Sequence, residues 1–180
     1  MEKSLDKKLD KIRNGNYQKT DFIIADAKDG DMGGGVFAPG PMLENLEKSQ
    51  PYQSYLQAMR EMTDSGLVDI MLMSSSSAEI LTDEKIFQNS AVTPAVRYND
   101  TTDVWGQRHS NYKKFPSRNF RTAHLSSVSE FIDLGLYSIT FSNDLEKDLE
   151  SLWGFRTFLE DLANNDLRYF LEVFNPQIDI

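Results

Sequence analysis

The sequence predicts an α/β fold with parallel strands, on three observations. Apolar runs of strand length alternate with stretches of helical periodicity along the chain. The strand-like runs are continuously apolar rather than alternating, as in sheets covered on both faces. Polar and charged residues cluster just after those runs, where α/β proteins meet their ligands.

The elements follow in order. Leu5, Leu9 and Ile12 fall at i, i+4 and i+7, which predicts a short amphipathic helix with its lysines in water, ended by Asn14, Gly15 and Asn16. Phe22-Ile23-Ile24-Ala25 predicts a buried first strand, followed by a polar, glycine-rich loop. Tyr55, Met59 and Met62 place a helix over 52–65, stopped by Gly66. A second strand is predicted over 68–73. Ser76 and Glu79 have capping-box spacing, so a helix is expected to begin there and run to about Gln88. Residues 93–98 are the third strand, with Pro94 tolerated near its start. The stretch 99–129 has no clean helical pattern in its first part, and 128–134 predicts a short helix. A fourth strand spans 135–142. Asn143 is the expected cap of a long helix, with Asp144 and Glu146 in its first turn. Leu149, Leu152, Trp153, Phe155, Leu159 and Leu162 form that helix's expected apolar face, and Asn164 and Asn165 end it. The fifth strand is 169–174. No repeat or linker divides the chain, so one domain over 1–180 is expected. Two architectures share this pattern, a doubly wound open sheet and a (β/α)8 barrel.

Composition narrows the function classes. The chain has 180 residues and a formal net charge of -9. General nucleic-acid binding needs a surplus of Lys and Arg and is not expected. There is no cysteine, which excludes disulfides, thiolate nucleophiles and Cys-ligated metals, and suits a cytoplasmic setting. No apolar run reaches membrane-span length, and the N-terminus lacks a signal-peptide core. His109 and His124 are the only histidines and lack ligand spacing, so no metal is expected. The glycines of GDMGGG do not match a dinucleotide fingerprint, and the four serines from Ser74 to Ser77 make no nucleophile elbow.

The candidate site residues stand at strand ends. Asp26 and Lys28 are two apart, so on a continuing strand they share a face. A lysine beside carboxylates serves as proton shuttle, phosphate ligand or salt-bridge partner. Glu172 lies between Leu171 and Val173, and an acid in a buried strand is costly unless paired. It reads either as a site residue or as a structural ion pair with Lys28 or Arg97. Arg97, Asp100, Asn143 and Asn175 are candidate substrate-binding groups, capping alone being the plainer reading of Asn143 and Ser76. From Arg97 to Arg121 the cations Arg97, Arg108, Lys113, Lys114, Arg118 and Arg121 face only Asp100 and Asp103. This loop reads either as solvated charge or as an anion-holding lid packed through Trp105, Tyr112 and Phe115.

The segment GLYSITFSNDLEKDLESLWGFRTFLEDLANNDLRYFLEVFNP, together with IIADAK near the first strand, resembles the tagatose-bisphosphate aldolase group of class I aldolases. The resemblance covers about half of the chain. It implies a (β/α)8 barrel of TIM-barrel type and carbon–carbon lyase chemistry through a lysine Schiff base, with no cofactor, on a phosphorylated sugar or similar small carbonyl compound. Asp26 matches the family's first-strand acid and Glu172 its fifth-strand glutamate. Two departures stand out. The family's fourth-strand lysine is replaced here by the neighbourhood of Tyr137 and Ser138. The family's Schiff-base lysine lies on a later strand, beyond Ile180. The expectation is therefore the first five β/α units of a barrel that stops before closure, with an exposed edge prone to self-association. A non-catalytic barrel relative, or an open-sheet module binding a small anionic metabolite, is the alternative. Lys28 is the lysine left to form an imine.

Overall fold

The computed structural model describes residues 1–101 and 118–174. The chain is α/β, and its residues cluster into two compact units, 1–95 and 96–180, each described by itself.

In the first unit, helix α1 (Ser4–Arg13) leads to strand β1 (Ala25–Lys28). A single turn, α2 (Asp31–Gly34), a 3-10 turn (Gly35–Phe37) and a small hairpin of β2 (Pro41–Met42) and β3 (Asn45–Ser49) fill the glycine-rich stretch. Helix α3 (Tyr52–Ser65) ends at Gly66, whose φ of 63° is left-handed and cheap only for glycine. Strand β4 (Ile70–Met73) runs parallel to β1, in register from Ala25 against Ile70 to Lys28 against Met73. Helix α4 (Ser75–Asp83) follows, and then the start of β5 (Thr93–Arg97), where the Thr93 N–H donates to the Asp69 carbonyl. Leu56, Met59, Met71, Met73, Ala78 and Leu81 form the buried core.

Several expectations are corrected here. The run Phe22 to Ile24 is not the strand: Phe22 is 63% exposed, and pairing begins at Ala25. The reason lies in Asp69. Its buried carboxylate accepts from the Ile24 N–H at 2.8 Å, and the Ile24 carbonyl accepts from the Asp69 and Ile70 N–H groups. The ladder is pinned there, and the apolar residues before it stay outside. Not all α1 lysines lie in water. Lys8 donates to Asp69 at 2.7 Å, and Lys3, just before the helix, donates to the carbonyls of Phe87, Ser90 and Val92. The cap of α4 is Ser74, whose hydroxyl accepts from the Ser77 N–H, and not Ser76. The helix stops at Asp83, and Lys85 then turns left-handed at φ 63°, which prevents its running to Gln88.

In the second unit, the end of β5 pairs in parallel with β8 (Leu134–Thr140), and β8 pairs in parallel with β9 (Arg168–Phe174). An antiparallel ribbon of β6 (Asn99–Thr101) and β7 (Asn119–Arg121) and a short turn, α5 (Leu125–Val128), lie between β5 and β8 in sequence. The expected helix over 128–134 is thus displaced to 125–128, and Leu134 already belongs to β8. Helix α6 (Leu145–Ala163) joins β8 to β9. Its cap is Asp144, accepting from the Lys147 N–H at 3.0 Å, while Asn143 sits before it at φ 59°, a conformation asparagine tolerates.

The face that α6 buries differs in part from expectation: Phe155 packs on Tyr137 with centroids 5.1 Å apart, as a member of that face should, but its neighbours do not follow. Trp153 is 69% exposed and Leu149 and Leu152 are exposed, whereas Phe158 is fully buried. Phe158 stacks on Tyr137 with centroids 4.4 Å apart, meets Tyr169 edge-on, and carries the Arg121 guanidinium over its ring. The aromatic cluster, not the leucine stripe, fixes the helix. Strand β9 is not buried on both faces: Tyr169, Leu171 and Val173 are exposed on one side. Gly135 is required by close approach, since a Cβ there would lie 2.4 Å from the Tyr98 ring. No described helix is long and apolar enough to cross a membrane.

Candidate functional site

Polar groups gather at the carboxyl ends of the parallel strands in each unit. In the first, Asp26 and Lys28 project from the same side of β1, as their spacing predicts, and Lys28 Nζ lies 3.1 Å from Asp26 Oδ1. The other Asp26 oxygen is buried and has no hydrogen-bond partner among the described residues. Lys28 keeps 28% of its side chain exposed.

Just beyond lies a cluster that sequence reasoning missed. Asp31, which opens α2 after β1, meets the end of β4. Its Oδ2 accepts from the Ser74 hydroxyl at 2.6 Å and the Ser77 hydroxyl at 3.1 Å, with the Tyr52 hydroxyl at 3.5 Å. Tyr52 and Ser77 also share a 2.6 Å hydrogen bond. The Tyr55 hydroxyl accepts from the Gly30 N–H. Burial, and then the negative charge of Asp31, push the Tyr55 phenol up to about 12, so it is a neutral hydroxyl at any ordinary pH. The serines after β4 were visible in the sequence. Nothing in it showed that Asp31 and Tyr52 would meet them, because each comes from a separate element.

In the second unit, the Arg97 guanidinium is buried and already engaged. Its Nε donates to the Asn99 carbonyl at 2.7 Å, its Nη2 to Asp100 Oδ1 at 3.2 Å, and its Nη1 lies 3.7 Å from Glu172 Oε2. Glu172 Oε2 also accepts from the Ser138 hydroxyl at 2.7 Å. The Asn99 side chain grips Ser138 of β8 twice, donating to its carbonyl and accepting from its N–H, each at 2.7 Å. Asn119 donates a second bond to the same carbonyl. Such a cluster holds the Glu172 carboxylate in place more than it offers an empty cation to a ligand. Arg97, Asp100 and Glu172 therefore come together, and the ion-pair reading of Glu172 with Arg97 is present in the structure. Its flanks Leu171 and Val173 are exposed, so the acid does not sit in a buried strand.

The remaining candidates stand apart. Asn143 is exposed at the start of α6. Asn175 lies outside the described residues, as do Arg108, Lys113, Lys114, Trp105, Tyr112, Phe115 and His109 of the basic loop. Arg121 pairs with Asp161 at 3.6 Å. No group of three His, Asp or Glu among the described residues is arranged to hold a metal ion. Compared with known protein families, curated proteins and solved structures, the chain matches none.

Proposed function

We propose that the chain binds a small polyhydroxylated carbonyl compound, of the phosphorylated-sugar kind, at the carboxyl ends of its parallel strands. The observation that supports this is the placement of part-exposed Lys28, with Asp26 at 3.1 Å, at the end of β1. In parallel α/β sheets that edge is where ligands bind. The hydroxyls of Tyr52, Ser74 and Ser77 and the carboxylate of Asp31 are the donor and acceptor types that a polyol uses. In architectural terms the reading takes the parallel strands as the first five β/α units of a (β/α)8 barrel.

Carbon–carbon cleavage of class I aldolase type is the second reading, favoured by the Asp26–Lys28 pair. An imine requires the neutral amine, so Lys28 must first give up a proton, for which Asp26 is the adjacent acceptor. The amine then adds to the substrate carbonyl, and loss of one water, with Asp26 returning the proton, leaves the protonated imine. That cation accepts the electron pair of the bond between its α and β carbons and becomes an enamine, while the hydroxyl on the β carbon gives its proton to the Asp26 carboxylate and becomes the carbonyl of the departing fragment. Where the pair stays closed, Lys28 acts only as a cation for the ligand's anionic group.

Borohydride trapping with dihydroxyacetone phosphate, read by intact mass and peptide mapping, separates the two. A reduced adduct on Lys28 that disappears in Lys28→Arg supports the lyase reading. Saturable binding without an adduct supports the binding reading alone. Neither adduct nor binding overturns both.

A further inference from the structure

One face of α6 is apolar, exposed and unused by the fold. Leu145, Leu149, Leu152, Arg156, Leu159 and Ala163 succeed one another at alternating steps of four and three, the spacing of a helix-pairing seam. Leu145 is 77% exposed, Leu149 42% and Leu152 43%, Arg156 and Ala163 are exposed, and Leu159 is half-buried. Trp153 borders the stripe and is exposed as well. At about 100° per residue, Leu149 stands about 180° round the helix from buried Phe158. The stripe therefore faces away from the sheet, where Phe158 stacks on Tyr137.

Charge decides what can cover it. Within α6 the acids are Glu146, Asp148, Glu150, Glu160 and Asp161, and the bases are Lys147 and Arg156. Both bases are paired inside the helix, Lys147 with Glu150 at 2.6 Å and Arg156 with Glu160 at 3.2 Å. Glu146 and Glu160 hold equivalent places on one border of the stripe, two heptads apart. A second copy laid antiparallel, Leu149 against Leu159, sets Glu146 against the copy's Glu160. Laid parallel, it sets Arg156 against Arg156 in the middle of the seam. Both arrangements oppose like charges, so a second copy is disfavoured. A helix whose own leucine stripe is flanked by lysine or arginine matches the apolar seam and its acid border together.

We propose that the outer face of α6 docks a basic amphipathic helix of a partner protein. The probe is a synthetic peptide about three heptads long, to match the 19 residues of α6, with leucine at the seam positions and lysine at the flanking ones. It is titrated against the full chain by fluorescence anisotropy, beside a second peptide with glutamate at the flanking positions. The expected result is saturable binding of the lysine peptide, about tenfold or more tighter than the glutamate peptide. Leu149→Gln with Leu152→Gln should weaken the lysine peptide about tenfold or more, because glutamine keeps the helix but not the apolar seam. Leu67→Gln, at an exposed leucine of the first unit, should not weaken it. Glu146→Gln with Glu160→Gln should weaken it about threefold or more, and Glu44→Gln with Glu47→Gln, the same charge change on the exposed β2–β3 hairpin, should not. No saturable binding, or equal affinity for the two peptides, overturns the proposal without any variant. Equal sensitivity to the α6 and control substitutions overturns it too, since that is only general attraction to an acidic chain. Sedimentation velocity of the protein alone tests the other occupant: self-association abolished by Leu149→Gln with Leu152→Gln would assign the stripe to a second copy and overturn the proposal. Trapping and titration at Lys28 are unaffected by any of these outcomes.

Discussion

Replacing Asp69 with asparagine should loosen the first unit at one identifiable seam. Asp69 is buried and its Oδ2 holds Lys8 of α1 at 2.7 Å and the Ile24 N–H at 2.8 Å. Asp69→Asn keeps the shape, so the effect isolates the charge. Breaking a buried pair costs about 3–5 kcal/mol, and a charge-assisted hydrogen bond contributes about 1.5–3 kcal/mol. The Lys8 side chain is 24% exposed and can be rehydrated, which places the expected loss near the lower range, about 2–3 kcal/mol. With a urea slope of about 2 kcal/mol/M, the midpoint should fall by about 1–1.5 M. Far-UV circular dichroism in urea measures it, and the Ile24 amide should lose hydrogen-exchange protection in parallel. Lys8→Met alone leaves the carboxylate buried and unpaired, so the double variant should cost less than the sum by about 1–2 kcal/mol. A midpoint shift below about 0.3 M, or strict additivity, would refute the reasoning.

The same residue sets a pH dependence. Burial raises the Asp69 carboxyl, but hydrogen bonds from Lys8 and the Ile24 N–H outweigh it and hold it below its ordinary value. Its contribution is present above the unfolded value of about 3.9 and is lost as pH falls through the lower folded value. The stability gap between the unaltered protein and Asp69→Asn, measured in urea from pH 7 to pH 2.5, should therefore close only at the acid end. Gly135→Ala should destabilise by about 3 kcal/mol, the upper end for overpacking, because the Tyr98 ring at 2.4 Å is fully buried and packed on Phe158. Thermal unfolding reads it, and a loss within 0.5 kcal/mol, the usual range for a surface change, would count against the packing described. Ser74→Ala should cost about 1–2 kcal/mol through loss of the α4 cap and of the bond to Asp31, whereas Ser76→Ala should stay within about 0.5 kcal/mol. Equal costs in urea would restore Ser76 as the cap.

Much of the secondary structure was legible because it is locally encoded. The 52–65 helix carries its own stop in Gly66, and Ile70–Met73 is apolar at every position, so neither depends on distant partners. What was illegible came from competition between neighbours of equal chemistry. Ser74 and Ser76 are both good caps, as are Asn143 and Asp144, and the choice rests on which residue the strand end places at the helix start. The Phe22 to Ile24 run reads as core by hydropathy, yet a tertiary bond from the Ile24 N–H to Asp69 starts the strand three residues later, at Ala25. In α6 the leucines satisfy helical spacing, but Tyr98, Tyr137 and Tyr169 select Phe158 as the buried side. At the site, Asp26 with Lys28 follows from a two-residue spacing within one strand. Asp31 with Tyr52 and Ser77 joins three elements, and no local pattern encodes that meeting.

The claim that small carbonyl compounds meet this chain at the carboxyl ends of its strands is tested most directly by mapping amide shifts during titration with dihydroxyacetone phosphate. The account predicts saturable changes centred on Lys28, Asp29 and the residues from Ser74 to Ser77, with Ile24 and Asp69 at the opposite strand ends unmoved. Changes centred on Ile24 and Asp69, or no saturable change at all, would contradict it.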